Sequence, residues 1–129
     1  MESKGKKYRV ESKSILMSFK RALDGVKHAY STEFHMVVHG YVAAGVVIAG
    51  ALFQISYVEW LVCLLLIGAV FALELINTSI ESIVNMITTD YNFHAKVAKD
   101  TAAGAVLVMS IVSAVIGLII FVPKFFELF

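Results

Sequence analysis

Three stretches of this chain carry too little charge to remain in water as separate elements. Ala102 to Val122 is a run of 21 residues with no ionisable side chain. Val37 to Ile55 is uncharged apart from His39, and Trp60 to Ile80 is interrupted by one acid, Glu74. At 1.5 Å per residue each run, coiled as a helix, spans the roughly 30 Å hydrocarbon core of a bilayer. Lipid leaves no other option, because a backbone crossing it must satisfy its own hydrogen bonds. The expected fold is therefore all-α and integral to the membrane. Composition agrees: 59% of the residues are hydrophobic and 16% charged, against about 45–50% and 25% in soluble domains. With 129 residues there is room for one domain, and the single cysteine, Cys63, rules out an intrachain disulfide.

Net charge is only +1, but its placement is lopsided. Eight of the eleven Lys and Arg residues precede residue 28, two more are Lys96 and Lys99, and Lys124 stands near the end. By the positive-inside rule the N-terminus and the connection near residue 90 face the cytoplasm and the C-terminus faces out, in a plasma membrane. Residues 1–12 read as a flexible basic tail. Residues 14–34 read as an amphipathic surface helix, with Ile15, Leu16, Phe19, Ala22, Leu23, Val26, Ala29 and Tyr30 on one face and basic residues on the other. The basic charge suits anionic lipid headgroups, and no nucleic-acid partner is expected. No cleavable signal peptide is expected, since the first long apolar run starts late. Glu33 falls on the apolar face if this helix continues, which is out of pattern.

Within the second span the polar residues line up. On a helix turning about 100° per residue, Glu74, Asn77, Thr78, Glu81 and Asn85 share one arc of roughly 100°. An acid at membrane depth costs a few kcal/mol, so two on one face require a compensating partner. One chain has few elements to enclose such a stripe, which predicts burial against a second chain. Trp60 is the expected interfacial anchor, residues 86–99 a polar connection, and Pro123-Lys124 the stop of the last span. The small residues Gly40, Ala44, Gly45, Ala49, Gly50, Ala102, Ala103, Gly104 and Ala105 favour close helix packing. His35 and His39 are read as headgroup contacts.

The topology brings Glu33, Glu81, Lys96, Lys99 and Asp100 to one cytoplasmic surface, with Glu74 just below it. Carboxylates hold Mg²⁺ through oxygen, and the metal bridges nucleotide phosphates. A lysine at a helix start neutralises phosphate, and a carboxylate just inside the lipid can take a proton from a lipid hydroxyl. No Walker A loop or protein-kinase signature is present. Composition alone fits a lipid kinase and, equally, a membrane scaffold or small ion-coupled carrier.

Two blocks separate these. Glu74-Leu75-Ile76-Asn77-Thr78-Ser79-Ile80-Glu81, followed by Ala95-Lys96-Val97-Ala98-Lys99-Asp100 and then Ala105-Val106, resembles the prokaryotic diacylglycerol kinase and undecaprenol kinase family. The resemblance covers nearly everything after the tail. Glu59-Trp60 and Phe121-Val122-Pro123-Lys124 are most similar to its Gram-positive branch, where the usual substrate is undecaprenol. The resemblance implies a homotrimer of surface helix plus three spans, with ATP–Mg²⁺ sites between subunits. It implies Glu74 as general base and lipid contact, and Asn77 as its neighbour in the nucleotide site. It assigns Glu33 and Glu81 to Mg²⁺ and nucleotide, and Lys99 and Asp100 to nucleotide, with Lys99 also touching substrate. The chain departs from the family twice. Asn85 stands where aspartate is usual, and Met36-Val37 where Phe-Arg is common.

Overall fold

The structure, a computed structural model, describes residues 15–129. The basic tail and Ser14 lie outside the described residues. Four helices follow: α1 (Ile15–Thr32), α2 (Phe34–Leu52), α3 (Tyr57–Ile87) and α4 (Phe93–Glu127). The last three are each long and apolar enough to cross a membrane. At 1.5 Å per residue, α3 (31 residues) and α4 (35 residues) measure about 46 and 52 Å. Both therefore outrun the hydrocarbon, and each continues as a helix into a polar end.

Several boundaries differ from those the sequence suggests. Glu33 does not extend α1. It is the N-cap of α2, with extended backbone and no side-chain cap bond, so its carboxylate stands at the joint between the two helices. The polar connection shrinks to residues 88–92, because Asn92 caps α4 by accepting from the Ala95 amide at 3.1 Å. Pro123 does not stop α4, which runs on to Glu127. A proline removes one backbone donor, a loss that membrane helices tolerate, and Lys124 in the next position is anchored to Glu59 at 3.2 Å.

The α2–α3 corner is tightly specified. Gln54 adopts a left-handed φ of 49°, and the Ile55 amide donates to the Gly50 carbonyl at 3.1 Å while Gln54 donates to Ala51, which closes α2 in a Schellman turn. Ser56 then opens α3 in a capping box: its hydroxyl accepts from the Glu59 amide at 3.2 Å, and Glu59 accepts from the Ser56 amide at 2.7 Å. Beside this corner Ile55, Cys63 and Ile120 form a buried cluster backed by Trp60, Phe53 and Phe121. Trp60 is more than an interfacial anchor, because its ring lies on the bare backbone of Gly50.

The largest helix contact is between α3 and α4, which run antiparallel across the short 88–92 link. At this same end, away from the α2–α3 corner, α1 leans on α2 and α3. Ala29 is buried there, and Tyr30 packs its ring on Phe71, with centroids 6.1 Å apart. Ile15, Leu16, Phe19 and Leu23 on α1 are uncovered by protein, as a helix lying on lipid requires.

A Cβ on Gly50 would fall 2.8 Å from the Trp60 ring. Gly50→Ala should therefore destabilise the fold by about 1–3 kcal/mol, measured by unfolding in detergent with Trp60 fluorescence as the probe. Gly45→Ala, where nothing lies within 4 Å, should be neutral or slightly stabilising through helix propensity. Equal effects at the two positions would contradict this packing.

Candidate active site

The helical period of α3 turns one polar stripe inward, and the fold buries its middle. Glu74, Asn77 and Thr78 are 3%, 7% and 8% exposed in a single chain. The expectation that this stripe needs a second chain for burial is thereby corrected for these three residues: α1 and α2 of the same chain already help cover them. Thr78 returns its hydroxyl to the Glu74 carbonyl at 3.0 Å, so it is satisfied locally and serves the helix.

Glu74 finds its partner on α2. His39 Nε2 lies 3.2 Å from Glu74 Oε1. The headgroup reading of His39 is overturned, while His35, one turn earlier, is exposed and edges against Phe34. His39 is the residue that sequence reasoning missed as part of the site. The signal was present: the one ionisable imidazole inside an otherwise uncharged span faces the helix that carries the one buried acid.

One turn along α3, Asn77 Nδ2 donates to Glu81 Oε1 at 3.4 Å, and Asn77 Oδ1 is buried with no partner among the described residues. An orphaned carbonyl oxygen beside a half-buried carboxylate is a hard-donor set suited to Mg²⁺. No cluster of three His, Cys, Asp or Glu side chains gathers around a metal position among the described residues. Among the described residues, Glu33, half-buried at the α1–α2 joint, has no side-chain hydrogen bond or ion pair, with Glu81 or any other residue.

Lys99 and Asp100 are not at a helix start. They lie two turns inside α4 because that helix begins at Phe93, so free amides of a first turn are not beside them. Lys99 donates to Asn85 Oδ1 at 2.7 Å across the α3–α4 interface. Asp100 is exposed and pairs with Lys96 one turn before it. Glu74, Asn77 and Glu81 therefore form one contiguous face, Lys99 approaches it from α4 through Asn85, and Asp100 stays on the outside.

Beside His39 lies a cavity of about 350 Å³, framed by Val38, Val42, Val70 and Phe71 with Ser110 and Ser113 from α4. It is almost wholly apolar. A buried acid–imidazole pair next to an apolar cavity, with hard oxygen donors one turn away, suits the meeting of a hydrophobic alcohol and a phosphate-bearing reactant.

Residues 20–121 match the model of the prokaryotic diacylglycerol kinase family. The chain belongs to that family. It is 44% identical over 119 residues to an undecaprenol kinase of Bacillus subtilis, covering 92% of this chain and 97% of the relative. It is also 34% identical over 117 residues to a diacylglycerol kinase of Synechocystis, covering 89% of this chain and 66% of that protein. Against the family pattern, Met36 at the position often held by Phe is fully buried, so the apolar place is kept. Asn85, in place of aspartate, keeps an oxygen for Lys99.

Asn85→Leu and Lys99→Met, made singly and together, should show a coupling of about 1 kcal/mol in unfolding free energy, the contribution of one hydrogen bond to a charged group that water still reaches. A coupling near zero would mean that the contact does not join α3 to α4.

Proposed function

We propose that this chain transfers the γ-phosphoryl group of ATP, with Mg²⁺, to the hydroxyl of a membrane lipid alcohol. Family membership makes it a lipid kinase of the membrane, and the finer reading rests on the site. Its carrying observation is Glu74, buried against His39 beside an apolar cavity. Undecaprenol is the first choice of substrate, since the undecaprenol kinase matches over almost its full length. Diacylglycerol is second.

In this reading the Glu74 centre accepts the hydroxyl proton and Lys99 neutralises phosphate charge and helps hold the substrate. Glu81 and Asn77 from one chain, with Glu33, would hold Mg²⁺, which when bound offsets phosphate charge. Asp100 borders the nucleotide. Phosphoryl transfer asks mainly for positioning and charge neutralisation, which such a set supplies. The charge bias places the site and the N-terminus on the cytoplasmic side and the C-terminus outside.

The homotrimer also belongs to this proposal. Burial of Glu74 no longer argues for it. Its support is Glu33, whose carboxylate has no partner among the described residues and would complete the Glu81 site of a neighbour.

The direct test incubates purified protein in detergent micelles with radiolabelled ATP and each lipid, with and without Mg²⁺. Phosphorylated lipid should form only with the metal; no transfer to either lipid would leave a scaffold or carrier. Glu74→Gln keeps shape and hydrogen bonding but weakens proton acceptance, so turnover should fall about 10²–10⁴-fold. Near-normal turnover of an assembled variant would remove Glu74 from the reaction.

Shared sites have their own signature. Glu33→Ala and Glu74→Ala, each inactive, should recover part of the activity when their subunits are exchanged. Verified exchange without recovery at any ratio would place each site within one chain.

A further inference from the structure

Helix α4 carries three lysines, and two of them answer to acids. Lys96 pairs with Asp100 and Lys124 with Glu59. Lys99 is held by a neutral group instead. Its ammonium donates to the amide oxygen of Asn85 at 2.7 Å, and it has no ion pair among the described residues. Asn85 stands exposed in the last turn of α3, and Lys99 is half-buried. We propose that Asn85 is a positioning residue for the nucleotide: it holds Lys99 at the polar end of the site without cancelling its charge, and so sets how tightly phosphate is bound there. The proposal rests on the lipid-kinase reading and concerns the nucleotide half of that site.

An amide and a carboxylate of the same shape differ by one full charge. An aspartate at position 85 would accept the same hydrogen bond from Lys99, yet the pair would then be neutral as a whole. A phosphate approaching it would gain little. The amide oxygen fixes the ammonium by hydrogen bonding alone, and the pair keeps the positive charge of the lysine. Aspartate is usual at this place in the family, so the surplus charge belongs to this chain.

The other charged groups at this end do not undo it. Glu81, one turn before Asn85 on the same arc of α3, is engaged by the Asn77 amide. Lys96 and Asp100 spend their charges on each other. Asp90 in the link is exposed, and His94 is edged against Phe93. Lys99 is therefore anchored about one turn, roughly 5 Å along α3, beyond the Glu81 carboxylate. A metal-bound polyphosphate needs that order, with oxygen donors for the metal and a cation beside them for the remaining negative charge. The lipid alcohol is uncharged, so its affinity does not follow the charge of the pair.

The experiment compares the full-length protein with Asn85→Asp and Asn85→Ala in micelles of a non-ionic detergent. Equilibrium binding of radiolabelled ATP with Mg²⁺ gives Kd, and turnover gives kcat and KM for ATP and for the lipid, at about 0.05 and 0.5 M salt. At the lower salt Asn85→Asp should raise Kd and KM for ATP about 3–10-fold, the effect of one added negative charge near a phosphate that water still reaches. Its kcat should change much less than its KM, its lipid KM should hold, and its thermal unfolding should be no earlier, because the contact with Lys99 survives. The loss should shrink at the higher salt, where exposed charges are screened. Asn85→Ala, which frees Lys99 without adding charge, should lose less ATP affinity than Asn85→Asp. An Asn85→Asp protein that binds ATP as well as the unaltered one or better, or whose loss is untouched by salt or matched by Asn85→Ala, overturns the proposal. If Asn85→Asp does not assemble, Lys99→Gln decides: an unchanged Kd for ATP overturns it as well. An unaltered protein that phosphorylates neither lipid would instead defeat the kinase reading, and the binding comparison still judges Asn85 separately.

Discussion

A carboxylate placed inside an apolar helix organises this molecule. Glu74 cannot face lipid without a cost of several kcal/mol, and its neighbours on α3 cannot satisfy it, because Thr78 spends its hydroxyl on the backbone. The acid must be met from another helix at the same depth. His39 does this from α2 at 3.2 Å, which fixes the rotation of α2 about its axis and its height against α3. Once that pair is set, Val38 and Val42 on the same helix turn toward the cavity. The apolar cavity and the polar pair are thus two consequences of one constraint.

The two ends of the bundle are built differently. At the far end the capping box at Ser56, the Schellman turn at Gln54, the Glu59–Lys124 ion pair and the Trp60–Gly50 contact all lock one corner. At the polar end α3 and α4 are joined by a short link and by the Lys99–Asn85 bond, while α1 is held chiefly through Ala29 and Tyr30. A firm corner away from the chemistry and a lightly held helix beside it suit a site that must admit a nucleotide from water and an alcohol from lipid. In that setting the unpartnered oxygen of Asn77 reads as a donor held ready rather than as a packing fault.

Legibility followed the physics of each feature. The helices and the inward stripe of Glu74, Asn77 and Glu81 were readable, because apolar length and a 3.6-residue period are local properties. Boundaries were less so. The ends of α2 and the start of α4 depend on whether Glu33 or Asn92 caps a helix, and polar residues there fit a loop as well as a first turn. Pro123 was misjudged as a stop because one lost hydrogen bond is tolerable where the following turn is anchored by Lys124. The burial argument for a second chain does not hold for Glu74, Asn77 and Thr78, since α1 folds back over α3, which composition cannot reveal.

By itself the sequence determined that this protein lies in a membrane, as helices, with its acids and amides on one face of the middle span. The energy of moving polar groups into hydrocarbon is large and depends only on the order of residues along the chain. Its motifs also marked the family. Only the tertiary structure decided that His39 is the partner of Glu74, that Lys99 answers to Asn85 while Asp100 pairs with Lys96, and that Glu33 stands at a joint with no side-chain partner among the described residues. Those are contacts between residues as many as 35 positions apart. They depend on helix rotation and depth, which no local pattern encodes.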